Sequence, residues 1–297
     1  MQAIAFDRLT KHYGEVTALD DLNAQVISGR ITAFLGANGS GKTTSMRLLL
    51  GLSEPDSGGA TIDGERYVDL AHPTRRVGAV LDQGFHPNRS ARNHLRIVAA
   101  QAGMPADRAE AVLDLVELLP AAHRKVGGFS LGMRQRLALA SALVGDPEIL
   151  VLDEPFNGLD PAGITTMRSF LRSFADRGGT VFLSSHLLAE VAHSADDAIV
   201  IHRGRLVSEA PVAELSRTRG ETVVTTNDVD LLAVALAQRG ATVARTGPNT
   251  LSLTGVDPPV VGRAALEVGA VVTDLHAVGD DLESIFADLI NRQEATS

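Results

Sequence analysis

Gly36-Ala37-Asn38-Gly39-Ser40-Gly41-Lys42-Thr43 is the stretch on which the fold turns. It follows the pattern G-x-x-x-x-G-K-[S/T]. Before it, Arg30–Leu35 is apolar enough for a buried strand; after it, Thr43–Leu50 carries helical periodicity and stops at Gly51. Glycines let a backbone wrap closely round phosphate oxygens with its N–H groups pointing inward. A helix opening at Lys42 adds the positive end of its dipole. Lys42 brings a point charge to β- and γ-phosphates, and the Thr43 hydroxyl, with Thr44 behind it, is placed to reach Mg²⁺. By composition alone such a match arises on the order of once in a hundred chains of this length. The strand–loop–helix setting makes it rarer.

Further along, Ile149-Leu150-Val151-Leu152-Asp153-Glu154 is a short apolar strand ending in two acids. Two carboxylates at a strand end are often only a solvated terminus. Behind a phosphate loop they read as a metal-holding Asp153 and a water-polarising Glu154.

Strands read at Ile4–Phe6, Asn23–Val26, Val77–Leu81 and Thr180–Ser184, with a hairpin at Ala198–Val207 turning on His202-Arg203-Gly204. The pattern from Ser90 to about Leu143 is mainly helical, including Ala106–Leu119 ending at Pro120, and Gly163–Ala175 reads as another helix. Strands alternating with helices argue for a mainly parallel α/β core with a helical insert. After Arg217-Thr218-Arg219-Gly220 the period changes: strand 222–225, helix 229–239, strands 241–244 and 250–253, helix 260–268, strand 271–274, and a last helix 281–290. The order β-α-β-β-α-β is the ferredoxin-like arrangement.

Composition narrows the function. With 44% hydrophobic and 21% charged residues the chain has an ample core. It has no cysteine, so no disulfide or thiolate metal site, which fits a reducing compartment. No apolar run nears the ~18 residues that span a bilayer, and Met1–Arg8 lacks the features of a signal peptide, so the expectation is a cytosolic chain. Of the net charge of −9, the segment from Glu221 carries −7 (4 arginines, 11 carboxylates). No basic face is visible, and nucleic acid is not an expected partner.

With these residues in view, the first 210 or so closely resemble the ABC ATPase family. Ser130-Leu131-Gly132-Met133-Arg134-Gln135-Arg136 stands where the family has its Leu-Ser-Gly-Gly-Gln signature, Asn157-Gly158-Leu159-Asp160 matches its D-loop, Ser184-Ser185-His186 its switch histidine and Lys11-His12-Tyr13-Gly14 its adenine-stacking aromatic loop. Ser130 suits the N-cap of a helix from Leu131, where its hydroxyl and the N–H of Gly132 make an anion site.

The resemblance implies a P-loop NTPase of ABC type, with a mixed sheet core, an antiparallel β subdomain and a helical insert at about 86–145 within an ATPase domain 1–219; the change of period after Gly220 adds a small α/β domain, 220–297. It implies ATP and Mg²⁺ as ligands. Glu154, His186 and Lys42 are then catalytic. Tyr13, the loop Gly36 to Thr44, Ser130, Gly132 and Asp160 hold nucleotide, and Thr43, Asp153 and Asp82 serve the metal. It further implies a head-to-tail dimer that sandwiches two ATPs, a separate integral-membrane permease, and a place at the cytoplasmic face of the membrane. Tyr13 is read as stacking on adenine rather than as a core aromatic.

The signature departs from the family at Phe129, Leu131 and Met133, and Asp82 stands where the family has Gln, with Gln83 next to it as the rival. Asp281-Leu282-Glu283-Ser284-Ile285-Phe286 is similar to the tail of the bacitracin and daunorubicin resistance exporters. A soluble ABC protein of translation or repair fits less well: there is one cassette, and no sustained heptads. A GTPase would carry Asn-Lys-x-Asp, which is missing from the sequence.

Overall fold

The computed structural model describes residues 1–81, 84–186, 194–215 and 221–278. The expected last helix, the Leu-Glu-x-x-Phe tail, Asp82 and Gln83 lie outside these residues. The chain divides into two compact units, Met1–Pro211 and Val212–Ser297.

In the first unit the amino-terminal segment forms two long strands where the sequence suggests short ones. β1 (Gln2–Tyr13) and β2 (Val16–Ile27) make an antiparallel hairpin, and β1 pairs on its other edge with β4 (Ser57–Ile62). The hairpin is interrupted by register shifts, and Arg8 and Asp21 take positive φ (47° and 54°). These irregularities break the period-2 pattern and hide the strand length from a reading of alternation.

The main sheet is built from β3 (Ile31–Leu35), β5 (Val77–Val80), β6 (Ile149–Leu152), β7 (Thr180–Ser185), β8 (Asp197–His202) and β9 (Arg205–Pro211), in the order β5-β6-β7-β3-β8-β9. The first five are parallel, and β9 returns antiparallel to β8. β3 and β6 are buried at every position, which is why they read as continuous apolar runs. Phe6 from β1 meets Phe34 from β3 and Phe182 from β7, with ring centroids 6.2 and 5.9 Å away, and Met46 and Leu49 of helix α1 (Lys42–Leu49) join the same apolar cluster. The two sheets thus share one core. Each of these phenylalanines contributes roughly 1.5–3 kcal/mol by leaving water.

A short α2 (Pro73–Arg76) leads into β5. The helical insert comprises α3 (Ala91–Gln101), α4 (Arg108–Leu115) and α5 (Leu131–Leu143). α4 stops short of the expected Leu119: Glu117 takes a φ of 57°, and Leu119–Ala121 forms a single 3₁₀ turn at Pro120. α6 (Pro161–Asp176) begins earlier than expected because Asp160 caps it, accepting from the Gly163 N–H at 3.0 Å, with Pro161 at the first helical position.

One junction fixes the phosphate loop to both sheets. Gly204, in the β8–β9 turn, donates its N–H to the Ser40 carbonyl at 2.9 Å and accepts from the Asp20 N–H at 3.0 Å. A Cβ on Gly41 would lie 2.6 Å from Leu19 Cδ2 and 2.7 Å from the Ala18 carbonyl oxygen; one on Gly204 would lie 2.7 Å from Leu19 Cα. Two glycines far apart in sequence therefore exist to let the same piece of β2 approach.

In the second unit a short helix, Val212–Leu215, precedes the described strands β10 (Glu221–Thr226), β11 (Thr242–Arg245), β12 (Thr250–Thr254) and β13 (Val272–Val278). They pair antiparallel in the order β11-β12-β10-β13, with helices Val229–Ala237 and Pro258–Val268 as connections. This is the ferredoxin-like topology. Its core joins Val224, Leu251 and Leu253 of the sheet to Leu232, Leu236, Val261 and Ala264 of the helices.

Candidate functional site

The loop after β3 leads into α1 through a left-handed glycine. Gly41 takes a φ of 110° at the N-terminus of α1, and no side chain caps that helix. The first-turn N–H groups are therefore left for a ligand. Lys42 is only 6% exposed, and its ammonium donates to the Gly36 carbonyl at 2.6 Å and to Ala37 at 3.3 Å. Its Nζ also lies 3.7 Å from Glu154 Oε1. Ser40 is buried, and its hydroxyl meets no hydrogen-bond partner among the described residues. A buried polar oxygen without a partner is costly; here it lies in the loop whose backbone is shaped for phosphate.

The two acids lie where β6 ends. Asp153 accepts from the Thr43 hydroxyl at 2.6 Å, and its other oxygen accepts from the Ser184 hydroxyl. Ser184, fully buried at the end of β7, in turn accepts from the Glu154 N–H at 2.8 Å. Glu154 takes a φ of 49°, a left-handed conformation that costs a non-glycine residue on the order of 1–3 kcal/mol. The Ser184 bond and the turn from Asn157 N to the Glu154 carbonyl (3.1 Å) hold it there. The carboxylate so presented meets His186 Nδ1 at 2.8 Å from its Oε2. Thr43, Asp153, Ser184, Glu154, His186 and Lys42 thus form one connected set.

Ser184 was read from sequence only as a strand end before the histidine. The available signal was a hydroxyl at the end of an otherwise apolar strand, which must find a partner if buried.

Thr43 and Asp153 together present hard oxygens of the kind Mg²⁺ accepts, and Mg²⁺ is usually held by one or two protein groups with water and phosphate completing its shell. The residues fit that ion. Asp82, expected to assist, lies outside the described residues.

Ser130, Gly132 and Asp160 come together elsewhere. Ser130 caps α5, accepting from the Met133 N–H at 3.3 Å. With Gly132, Gly158 and Asp160 it lines a groove of about 610 Å³ between α4, α5 and α6, which none of the residues Gly36 to Thr44 line. Leu131, which replaces a family glycine, packs on Gly158: a Cβ there would lie 2.0 Å from Leu131 Cδ2. Tyr13 is half exposed at the end of β1 and is not a core aromatic. Among the described residues no helix is long and apolar enough to cross a membrane.

Comparison with known proteins bears on this geometry. A family model described as ABC transporter matches residues 19–157. The chain is 45% identical over 213 residues to the bacitracin transport ATP-binding protein BcrA of Bacillus licheniformis, covering 70% of each chain. It is 35% identical over 295 residues to BcrA of Enterococcus faecalis, covering 97% of this chain and 96% of that one. It is 35% identical over 300 residues to the Nod factor export ATP-binding protein I of Paraburkholderia xenovorans (strain LB400), covering 98% of each. Among solved structures, an ATP-binding subunit of an ABC transporter superposes with a TM-score of 0.65 at 26% identity, over 72% of this chain and 92% of that one.

Proposed function

The chain belongs to the ABC transporter family as an ATP-binding, ATP-hydrolysing subunit of the exporter kind, and on that premise we propose how its residues divide the work and what it drives. The observation that carries the reading is the connected set from Thr43 to His186 around the buried Lys42. The loop Gly36 to Thr44 cradles the triphosphate, with Ala37, Asn38, Gly39 and Ser40 offering backbone donors and Lys42 its charge. Thr43 and Asp153 hold Mg²⁺, which when bound neutralises charge on the β- and γ-phosphates. Glu154 takes a proton from the attacking water. The water oxygen bonds to the γ-phosphorus, the bond from that phosphorus to the β–γ bridging oxygen breaks, and ADP and phosphate result. His186, on the same carboxylate, keeps Glu154 aimed and contacts the γ-phosphate. Tyr13 stacks on the adenine.

Ser130, Gly132 and Asp160 line a groove apart from the loop, so they are free to serve nucleotide held by a second copy of this chain. Two ATPs sandwiched head-to-tail between two copies would bring both halves of the site together. The motor then acts under a separate integral-membrane permease, at the cytoplasmic face of the membrane. The bacitracin and Nod-factor relatives argue for outward movement of a drug-like, peptide or lipid substrate. The second unit, which contains none of the nucleotide residues, takes no part in ATP chemistry.

Glu154→Gln tests the assignment. It should keep ATP binding, lose turnover by roughly 10²–10⁴-fold, the usual worth of a general base, and accumulate as a dimer in ATP by light scattering. A monomeric variant that still turns over ATP would refute both roles.

A further inference from the structure

Tyr13 ends a strand whose register is broken. Between Leu9 and His12 the β1–β2 pairing shifts twice, so alternation alone does not fix where the side chains of Lys11, His12 and Tyr13 point. What fixes them comes from a different turn. Asp56, the residue before β4, places one carboxylate oxygen 3.0 Å from Lys11 Nζ. Its other oxygen accepts from the His12 N–H at 2.6 Å and lies 3.0 Å from His12 Nδ1. The Asp56 N–H donates to the Thr10 carbonyl at 2.9 Å, and the Thr10 hydroxyl accepts from the Asp21 N–H at 3.1 Å. The Lys11 hydrogen bond, followed by those of His12, lowers the Asp56 carboxyl to about 2, so it is charged at neutral pH. Held in this way, the Lys11 ammonium sits over the Tyr13 ring, 5.5 Å from its centroid, and the Lys11 side chain is largely covered (16% exposed). Tyr13 itself stays half exposed.

We propose that Asp56 is a positioning residue for the base of the nucleotide: by clamping Lys11 and His12 it keeps Lys11 on one face of Tyr13 and leaves the other face open for the purine. A cation on one face draws on the π electrons of the ring, and the electron-poorer ring stacks better on an electron-rich purine. The clamp also settles the ring before binding, so less freedom is lost when adenine arrives. This rests on the reading of Tyr13 as the adenine platform.

The test uses the full chain with Mg²⁺ present and two probes, ATP and inorganic tripolyphosphate. The second has the phosphates and no base. The quantity read is the ratio of their dissociation constants by titration calorimetry. Asp56→Ala and Lys11→Met should each reduce the preference for ATP about two- to five-fold, the change a cation–π contribution of about 0.5–1 kcal/mol produces, and leave tripolyphosphate binding unchanged. Lys11→Arg, which keeps a cation, should restore the preference. Tyr13→Ala should abolish it.

Equal loss of both affinities in Asp56→Ala, or in Lys11→Met, would make the clamp merely structural and overturn the proposal. An unchanged ratio in both, with Tyr13→Ala still losing its preference, would overturn the clamp and spare the platform. An unchanged ratio in Tyr13→Ala would overturn both.

Discussion

Replacing Ser184 by Ala removes one oxygen that serves two partners. It takes the donor from Asp153 and the acceptor from the Glu154 N–H, at a position with no solvent access. A hydrogen bond to a charged group is worth ~1.5–3 kcal/mol, and a buried unpaired N–H costs ~1–3 kcal/mol. Because Glu154 is itself partly open to water, the expected sum is about 2–4 kcal/mol. For a domain of this size that lowers the melting temperature by roughly 5–15 °C. The larger effect is on turnover. Glu154 loses one of the two bonds that hold its left-handed backbone, and the carboxylate can relax away from the reacting water. A displacement of ~1 Å in such a group costs on the order of 10²-fold in rate. The assay is steady-state phosphate release at saturating ATP, with ATP affinity and melting temperature measured on the same preparation. The expected pattern is a fall in kcat with ATP binding nearly kept. A Ser184→Ala protein with unchanged melting temperature and wild-type kcat would refute the argument that this hydroxyl ties the metal-side and water-side acids together.

Lys42→Ala should weaken ATP binding by on the order of 100-fold, since truncating one partner of a buried charge pair costs ~2–5 kcal/mol; calorimetry checks it, and unchanged affinity would end the phosphate-loop assignment. Gly158→Ala should destabilise the first unit by ~1–3 kcal/mol, because the new methyl meets Leu131 and the φ of 73° disfavours a side chain; adding Leu131→Ala should recover the part due to the clash, as read in urea melts. His94 is held below its ordinary 6.5, first by burial and then by the charge of Arg89. The unfolded chain therefore binds this proton more readily, so stability is full above pH 6.5 and falls as pH drops through 6.5 toward the folded value. His94→Gln, which can still bond Ser141, should flatten that decline in melts taken across this range.

The parts of the site that the sequence displayed are those made by short, local physics. The phosphate loop is a run of glycines between a buried strand and a helix. The Ser130 cap needs only the right residue before a helix, and the structure places it as an N-cap, whereas the Asp160 cap, which starts α6 two residues before the expected Gly163, was not read. The ferredoxin-like order of the second unit was legible because its strands and helices keep clean periods and are separated by turns. What stayed hidden needs contacts between distant segments. The length of β1 and β2 was masked by register shifts, and the early stop of α4 by the left-handed Glu117. The bridge through Ser184 joins the ends of two strands that pair in space but are separated in sequence by a whole helix. No local pattern announces such a partner.

The junction of Ala18–Leu19, Gly41 and Gly204 has a consequence for how this chain can vary. The two glycines answer to one neighbour, so a side chain cannot enter at either position by compensation at the other. Only a retreat of β2 would make room. The β8–β9 turn lies far in sequence from the phosphate loop, yet its backbone carries the Ser40 carbonyl on one side and β2 on the other. Cutting the chain between His202 and Arg205 to make new termini, or grafting a tag there, would slacken the phosphate loop from behind. Surface exposure marks that turn as a convenient place for protein engineering; its hydrogen bonds mark it as a poor one.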